Sequence, residues 1–129
     1  MATPAKVKRR VLVVDDEETM RLFLASSLAA HLDVEVQLAG TCEQALRFAE
    51  AGPYDAILLD LLMPGIGGLA VLYRVRRSGP NAATPVIVVS AVKDEETIER
   101  CMSAGAHDYL TKPVRPTELA RTLRKHLGS

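Results

Sequence analysis

Three stretches of this chain, VLVV at 11–14, AILL at 56–59 and VIVV at 86–89, are apolar at every position. A strand with one wet face alternates apolar and polar residues; a strand covered on both faces does not need to. Three such runs in one chain therefore require a sheet with a packed layer on each side. They lie within the strand-length segments Arg10–Asp15, Asp55–Asp60 and Pro85–Ser90, and Val34–Ala39 and the short His107–Leu110 add two more.

Helix-length segments fill the intervals. Thr19–His31 sets Met20, Phe23, Leu24 and Leu28 on one stripe. Thr41-x-x-Gln44 is a capping-box pattern that opens a second helix, which stops at Gly52-Pro53. A third, about Gly67–Ser78, carries Leu69, Leu72 and Tyr73 on one face and stops at Gly79-Pro80. A fourth, Asp94–Ala104, turns Ile98, Cys101 and Met102 inward and stops at Gly105. The fifth starts near Pro116, a favoured first helical residue, and carries Leu119, Leu123 and Leu127. The order is βα five times over. Strict alternation with short connections specifies an α/β, doubly wound parallel sheet of five strands with right-handed crossovers. The expected strand order is 2-1-3-4-5, the flavodoxin-like arrangement. Residues 1–8 read as a loose tail and residues 9–129 as one domain.

Composition narrows the function classes. Sixteen basic residues balance sixteen acidic ones, whereas nucleic acid and anionic membranes reward a basic face. Neither is expected as a direct partner. The apolar runs fall far short of the ~20 residues that a membrane span needs, and MATPAKVKRR lacks a signal-peptide core. Cys42 and Cys101 are far apart and form no CxxC spacing, so both read as free thiols in a reducing compartment. The expected location is cytoplasmic.

In parallel sheets of this kind, ligands bind beyond the carboxyl ends of the strands. There the chain places Asp15 and Asp16, then Thr41, Asp60, Ser90 and Lys112. In the expected order the first and third strands are neighbours about 4.8 Å apart, which gathers Asp15, Asp16 and Asp60. Two unit charges 4 Å apart interact by about 4 kcal/mol at an effective dielectric of 20. Three carboxylates together are therefore either partly protonated or built for a cation, and an oxygen-only donor set suits Mg²⁺. Lys112 and Ser90 add an ammonium and a hydroxyl, which an incoming phosphoryl group needs. Taken singly each residue is ordinary: a strand-end Asp usually shapes a turn, and Asp15-Asp16 alone could cap the first helix. The joint placement of the acidic pair, Asp60, Ser90 and Lys112 on four strand ends is what carries the reading.

Gly65-Ile66-Gly67-Gly68-Leu69-Ala70 matches G-x-G-x-x-A, a dinucleotide-loop fingerprint. It does not come directly off the strand, because Leu61-Leu62-Met63-Pro64 intervene. An acidic residue for the ribose is also missing at the end of the next strand. The glycines are instead expected to let the chain turn sharply into the third helix without crowding the rim. A phosphatase with a nucleophilic Asp usually needs a second Asp two residues on, and here that residue is Leu62.

VLVVDDE (11–17), LLDLLMPGIGG (58–68), PVIVVSA (85–91) and AHDYLTKP (106–113) together closely resemble the receiver domain of two-component response regulators. The resemblance spans nearly everything from Arg10 to Leu127, and with it residues 9–129 read as a receiver domain. It implies that Asp60 is the phosphoacceptor and that Mg²⁺ is held by Asp16, Asp60 and the backbone carbonyl of Leu62, with Asp15 acting mainly through water. It implies that Lys112 binds a phosphoryl oxygen and anchors Asp60, that Ser90 bonds the phosphoryl group, and that Ser90 and Tyr109 form the switch. A cis Lys112–Pro113 bond also follows from it. A phosphohistidine of a sensor histidine kinase or phosphotransfer protein would be the donor. Such a domain is a signalling module rather than an enzyme. A downstream protein target, an output domain elsewhere or a homodimer would use the face of the fourth helix, fifth strand and fifth helix. The chain departs from the commonest pattern at Gly67, where an Asp is frequent, which weakens the third helix's N-cap only slightly. Leu62 and Val92 are apolar where the family's hydrolytic water passes.

Overall fold

A computed structural model describes residues 8–127. The elements are β1 (Arg9–Val14), α1 (Glu18–His31), β2 (Val34–Ala39), α2 (Cys42–Ala51), β3 (Ala56–Leu59), α3 (Gly68–Arg77), β4 (Val86–Ser90), α4 (Glu95–Ser103), β5 (Asp108–Thr111) and α5 (Pro116–Leu127). The strands form one sheet in the order β2-β1-β3-β4-β5, and every pairing is parallel. The expected architecture and order are both found. The expected tail falls outside the described residues except for Lys8, which is exposed and pairs with Asp33 at 3.6 Å.

The three apolar runs are the middle of the sheet, and alternate residues face opposite cores. Val11, Val13, Leu58, Ile87 and Val89 pack with Leu24 and Leu28 of α1 and Leu119 and Leu123 of α5. Leu12, Val14, Ile57, Leu59 and Val88 pack with α2, α3 and Cys101 of α4. Each large side chain so buried contributes roughly 1.5–3 kcal/mol. Cys42 and Cys101 are both free and buried, as expected.

Several side chains expected inside lie outside. Phe23 is 38% exposed, Tyr73 48% and Met102 42%. In α1 the inward place beside Leu24 and Leu28 goes to Ser27, whose hydroxyl donates to the Phe23 carbonyl at 2.8 Å. In α3 the buried face is Gly68, Val71, Leu72 and Val75, which turns Tyr73 outward, and α4 buries only Cys101 fully. A helical stripe is about 100° wide, so residues adjacent in sequence to its centre are easily assigned to the wrong edge.

The ends of the helices follow local chemistry. The Thr41 hydroxyl accepts from the Gln44 N–H at 3.0 Å, and the Gln44 side chain accepts from the Gly40 N–H at 2.8 Å, one residue earlier than a capping box requires. Asp94 caps α4 by accepting from the Thr97 N–H at 2.9 Å. The N-cap of α3 is Gly67 at φ 84°, with no side-chain cap. That conformation favours glycine strongly, so glycine here is a backbone requirement rather than a weak substitute for Asp.

At the other end of the sheet, polar side chains tie the loops together. Buried Asn81 accepts from the Tyr54 N–H at 2.7 Å and donates to the Ala49 and Gly52 carbonyls at 2.7 and 2.9 Å. Arg76 donates to the carbonyls of Gly105, Asn81, Ala82 and Thr84 and to His107 Nδ1. The Arg9 guanidinium donates to the Leu127 carbonyl, joining the start of β1 to the end of α5.

Candidate functional site

The rim at the carboxyl ends of β1 and β3 is built by register. The Asp15 N–H donates to the Ala39 carbonyl at 3.1 Å and the Asp60 N–H to the Val14 carbonyl at 3.0 Å, each extending the sheet ladder by one residue. Both side chains are buried, at 1% and 4% exposure, and Asp16 is exposed. One carboxylate oxygen from each of Asp15, Asp16 and Asp60 lies within 4.8 Å of the others.

Lys112 completes the constellation. Its Nζ lies 2.8 Å from Asp15 Oδ2 and 3.1 Å from Asp60 Oδ2. Burial alone would lower the pKa of this ammonium, but its hydrogen bonds to Asp15 and Asp60, and their charges, outweigh that and raise it. The remaining carboxylate valences are used locally. Asp15 Oδ1 accepts from the Glu17 N–H at 3.0 Å, and Asp60 Oδ1 accepts from the Leu62 N–H at 3.1 Å. Asp15 therefore shapes the turn into α1 as well as facing the rim.

One ammonium against three carboxylates leaves a net negative hollow. Oxygens on opposite sides of a Mg²⁺ ion stand about 4.2 Å apart, from a bond length near 2.1 Å. Three carboxylate oxygens within 4.8 Å are thus a small adjustment from sharing one such ion. The donor set is all oxygen, which fits a hard cation.

Ser90 and Tyr109 lie on the neighbouring strands. Ser90 is fully buried, and its Oγ accepts from the Val92 N–H at 3.3 Å. The Lys112 N–H donates to the Ser90 carbonyl at 2.9 Å, so a backbone bond ties the lysine to the residue that bears the hydroxyl. The Tyr109 hydroxyl donates to the Val92 carbonyl, and burial pushes its phenol pKa up. The Lys112–Pro113 bond is cis, as the resemblance implied. The Leu62 side chain is exposed.

Sequence reasoning missed two contributors. Arg21 Nη1 donates to the Asp15 carbonyl at 2.8 Å from within α1. Gly68 sits directly on the phosphoacceptor candidate: a Cβ there would stand 2.0 Å from the Asp60 carbonyl oxygen and 2.7 Å from Leu61 Cα. Arg21 lies six residues after Asp15, in the first turn of α1, and no helical spacing marks its reach back to that residue. The Gly68 N–H is engaged by the Leu61 carbonyl at 3.1 Å, so this amide is turned to the chain itself and does not serve a dinucleotide loop.

Residues 11–124 match the family described as the response regulator receiver domain. The chain is 36% identical over 110 residues to the cyclic di-GMP phosphodiesterase response regulator RpfG of Xanthomonas campestris, covering 84% of this chain and 29% of that protein. It is 33% identical over 119 residues to the response regulator ArlR of Staphylococcus saprophyticus, covering 92% of this chain and 52% of that protein. The chain thus spans only a part, 29% and 52%, of these curated relatives. Among solved structures it resembles the receiver domain of a sensor histidine kinase from Pseudomonas aeruginosa PAO1, described with a magnesium ion coordinated in the active-site cleft. There the identity is 31% and the TM-score 0.86, over 95% of this chain and 100% of that one. Chemotaxis response regulator CheY4 of Vibrio cholerae superposes with TM-score 0.86 at 28% identity, over 93% and 99% of the two chains.

Proposed function

The chain belongs to the response regulator receiver domain family, the phosphoacceptor signalling modules of two-component systems, and from that premise we propose that Asp60 is the residue that takes the phosphoryl group. The observation that carries the reading is the Lys112 ammonium bridging buried Asp15 and Asp60, with the Asp16 carboxylate alongside.

The donor is a phosphohistidine of a sensor histidine kinase or a histidine phosphotransfer protein. An Asp60 carboxylate oxygen attacks phosphorus, a P–O bond forms, and the P–N bond breaks. The electron pair returns to the donor imidazole. Asp15, Asp16, Asp60 and the Leu62 carbonyl would hold Mg²⁺, which supplies positive charge to offset that of the nucleophile and the phosphoryl oxygens. Asp60 Oδ2 is the oxygen that Lys112 now holds, so the lysine is in place to pass to an equatorial phosphoryl oxygen as charge develops there. The fully buried Ser90 hydroxyl accepts from the Val92 N–H at 3.3 Å, a long contact that it would give up to turn toward the same group.

Phosphorylation adds about −1.5 to −2 charge. Ser90 swings toward it, and Tyr109 follows by leaving the Val92 carbonyl. The surface so altered is α4, β5 and α5, which would bind a downstream partner or a second copy of the chain. This is a shift between two states of one fold. The acyl phosphate is slowly hydrolysed by water. Among the described residues no helix is long and apolar enough to cross a membrane.

Intact-mass measurement after incubation with acetyl phosphate and Mg²⁺ tests the assignment. The wild type should gain one phosphoryl group and Asp60→Asn none. Stoichiometric labelling of Asp60→Asn would overturn it.

A further inference from the structure

Asp15 is held from four directions. Its N–H donates to the Ala39 carbonyl at 3.1 Å and its Oδ1 accepts from the Glu17 N–H at 3.0 Å. Its Oδ2 accepts from Lys112 at 2.8 Å, and its carbonyl accepts from Arg21 Nη1, also at 2.8 Å. Asp16 is exposed, and no hydrogen bond to its carboxylate occurs among the described residues. What fixes Asp16 is therefore the peptide plane that joins it to Asp15, and the carbonyl of that plane is the atom Arg21 holds.

Gly40 supplies a second, independent observation. A Cβ at this position would lie 2.8 Å from Arg21 Nη1 and 3.1 Å from its Cζ. Gly40 is not among the glycines with positive φ, so its backbone conformation does not demand glycine. The Arg21 guanidinium takes up the space of a side chain there, and a Cβ would push it aside from the Asp15 carbonyl. The Ala39 carbonyl, one residue before Gly40, holds the N–H of Asp15. The β2–α2 connection thus touches both the acid and the arginine that orients it. Side chains on a helix lean toward its N-terminus, which is how Arg21, in the first turn of α1, reaches back to residue 15.

We infer that Arg21 is a positioning residue that sets the Asp15–Asp16 peptide plane for cation binding, and that residue 40 is glycine because Arg21 fills its side-chain space. The inference rests on reading Asp15, Asp16 and Asp60 as the cation ligands. It opposes simple electrostatics: a guanidinium beside a Mg²⁺ site repels the ion, so as a charge alone Arg21 would weaken binding, whereas as a positioner it strengthens it.

Calorimetric titration of the metal-free protein with Mg²⁺ separates these roles. Partners behind metal ligands are worth 10–100-fold in affinity, and the low end applies to a backbone contact. Arg21→Met should raise the dissociation constant about tenfold, and Gly40→Ala, which pushes the guanidinium aside without removing it, by a smaller factor. The double variant should bind no more weakly than Arg21→Met alone, because the new methyl then displaces nothing. Arg21→Lys, which keeps the charge and one donor, should recover part of the loss. Saturating Mg²⁺ should return acetyl phosphate labelling of Asp60 to near wild type in each. Thermal unfolding in EDTA confirms that each variant is folded; if Arg21→Met is not, Gly40→Ala and Arg21→Lys decide. Unchanged or tighter Mg²⁺ binding by Arg21→Met, or losses that multiply in the double variant, would overturn the inference. Absence of Mg²⁺ binding by the wild type would instead remove the ligand reading itself, and this inference with it.

Discussion

Replacing Gly68 by alanine tests how the phosphoacceptor is held in place. The first residue of α3 lies on the backbone of Asp60, so the added Cβ would meet the Asp60 carbonyl oxygen at 2.0 Å and its carbonyl carbon at 2.9 Å. An ordinary carbon–oxygen contact needs more than 3 Å, so the strand end and the helix start must separate by about 1 Å. Overpacking a core typically costs 1–3 kcal/mol, and here the obstacle is backbone, which has no rotamer to change. We expect a loss of about 3 kcal/mol or more, a fall in Tm of roughly 10 °C at about 3–4 °C per kcal/mol for a domain of this size. The control is Gly65→Ala. Gly65 has φ 89° but open space around its missing Cβ, so alanine there costs only the 1–2 kcal/mol of a left-handed conformation. If the glycines served flexibility alone, the ranking would invert: alanine at Gly68, a better helix former than glycine, would be neutral or stabilising. Thermal unfolding of the two variants, with acetyl phosphate labelling alongside, decides the matter. A Gly68→Ala protein that melts at or above the wild-type temperature with full labelling would refute the reasoning.

Lys112→Met should abolish or strongly slow labelling and should destabilise the protein by about 3–5 kcal/mol, because it leaves two buried carboxylates without their cation; added Mg²⁺ should raise the variant's Tm more than the wild type's, and an equal shift would count against the pairing. Asn81→Ala removes four hydrogen bonds from a buried side chain and should cost about 2–4 kcal/mol while labelling at Asp60 stays complete; lost labelling in a protein that is still folded would contradict the separation of the two ends. His107 Nδ1 faces Arg76 and the Val86 N–H, and its ring meets the His126 ring edge to face; burial first, then the charges of Arg76 and His126, lowers its pKa below 6.5. Below pH 6.5 the unfolded chain thus binds the proton more readily than the folded one, so stability falls with pH from there downward; urea unfolding across pH 5–8 should show a shallower slope for His107→Gln, and an unchanged slope would sink the assignment.

The fold was legible because its signal is redundant. Three runs apolar at every position demanded a doubly covered sheet, and the alternation with helices left one topology. The rim was legible for the same reason: Asp15, Asp60, Ser90 and Lys112 each sit at a strand end, and strand ends are visible in a sequence. What stayed hidden depends on side chains that cross between elements. Arg21 reads as an ordinary helical cation until its reach to residue 15 is seen. Gly68 reads as one of three glycines in a turn, although only it bears on Asp60. Phe23, Tyr73 and Met102 read as inward because each neighbours a truly buried residue, and periodicity alone does not separate the middle of a stripe from its border.

The contact between Arg9 and Leu127 brings the beginning of β1 and the end of α5 to one corner. β1 has six residues and rises about 3.3 Å per residue, so this corner lies roughly 20 Å from the acidic rim. A fluorescent protein or a surface tether attached at either side of that corner would stand clear of Asp60. A short linker bridging the corner would allow the polypeptide to be circularly permuted, with new termini opened in an exposed loop elsewhere and the reactive rim left whole.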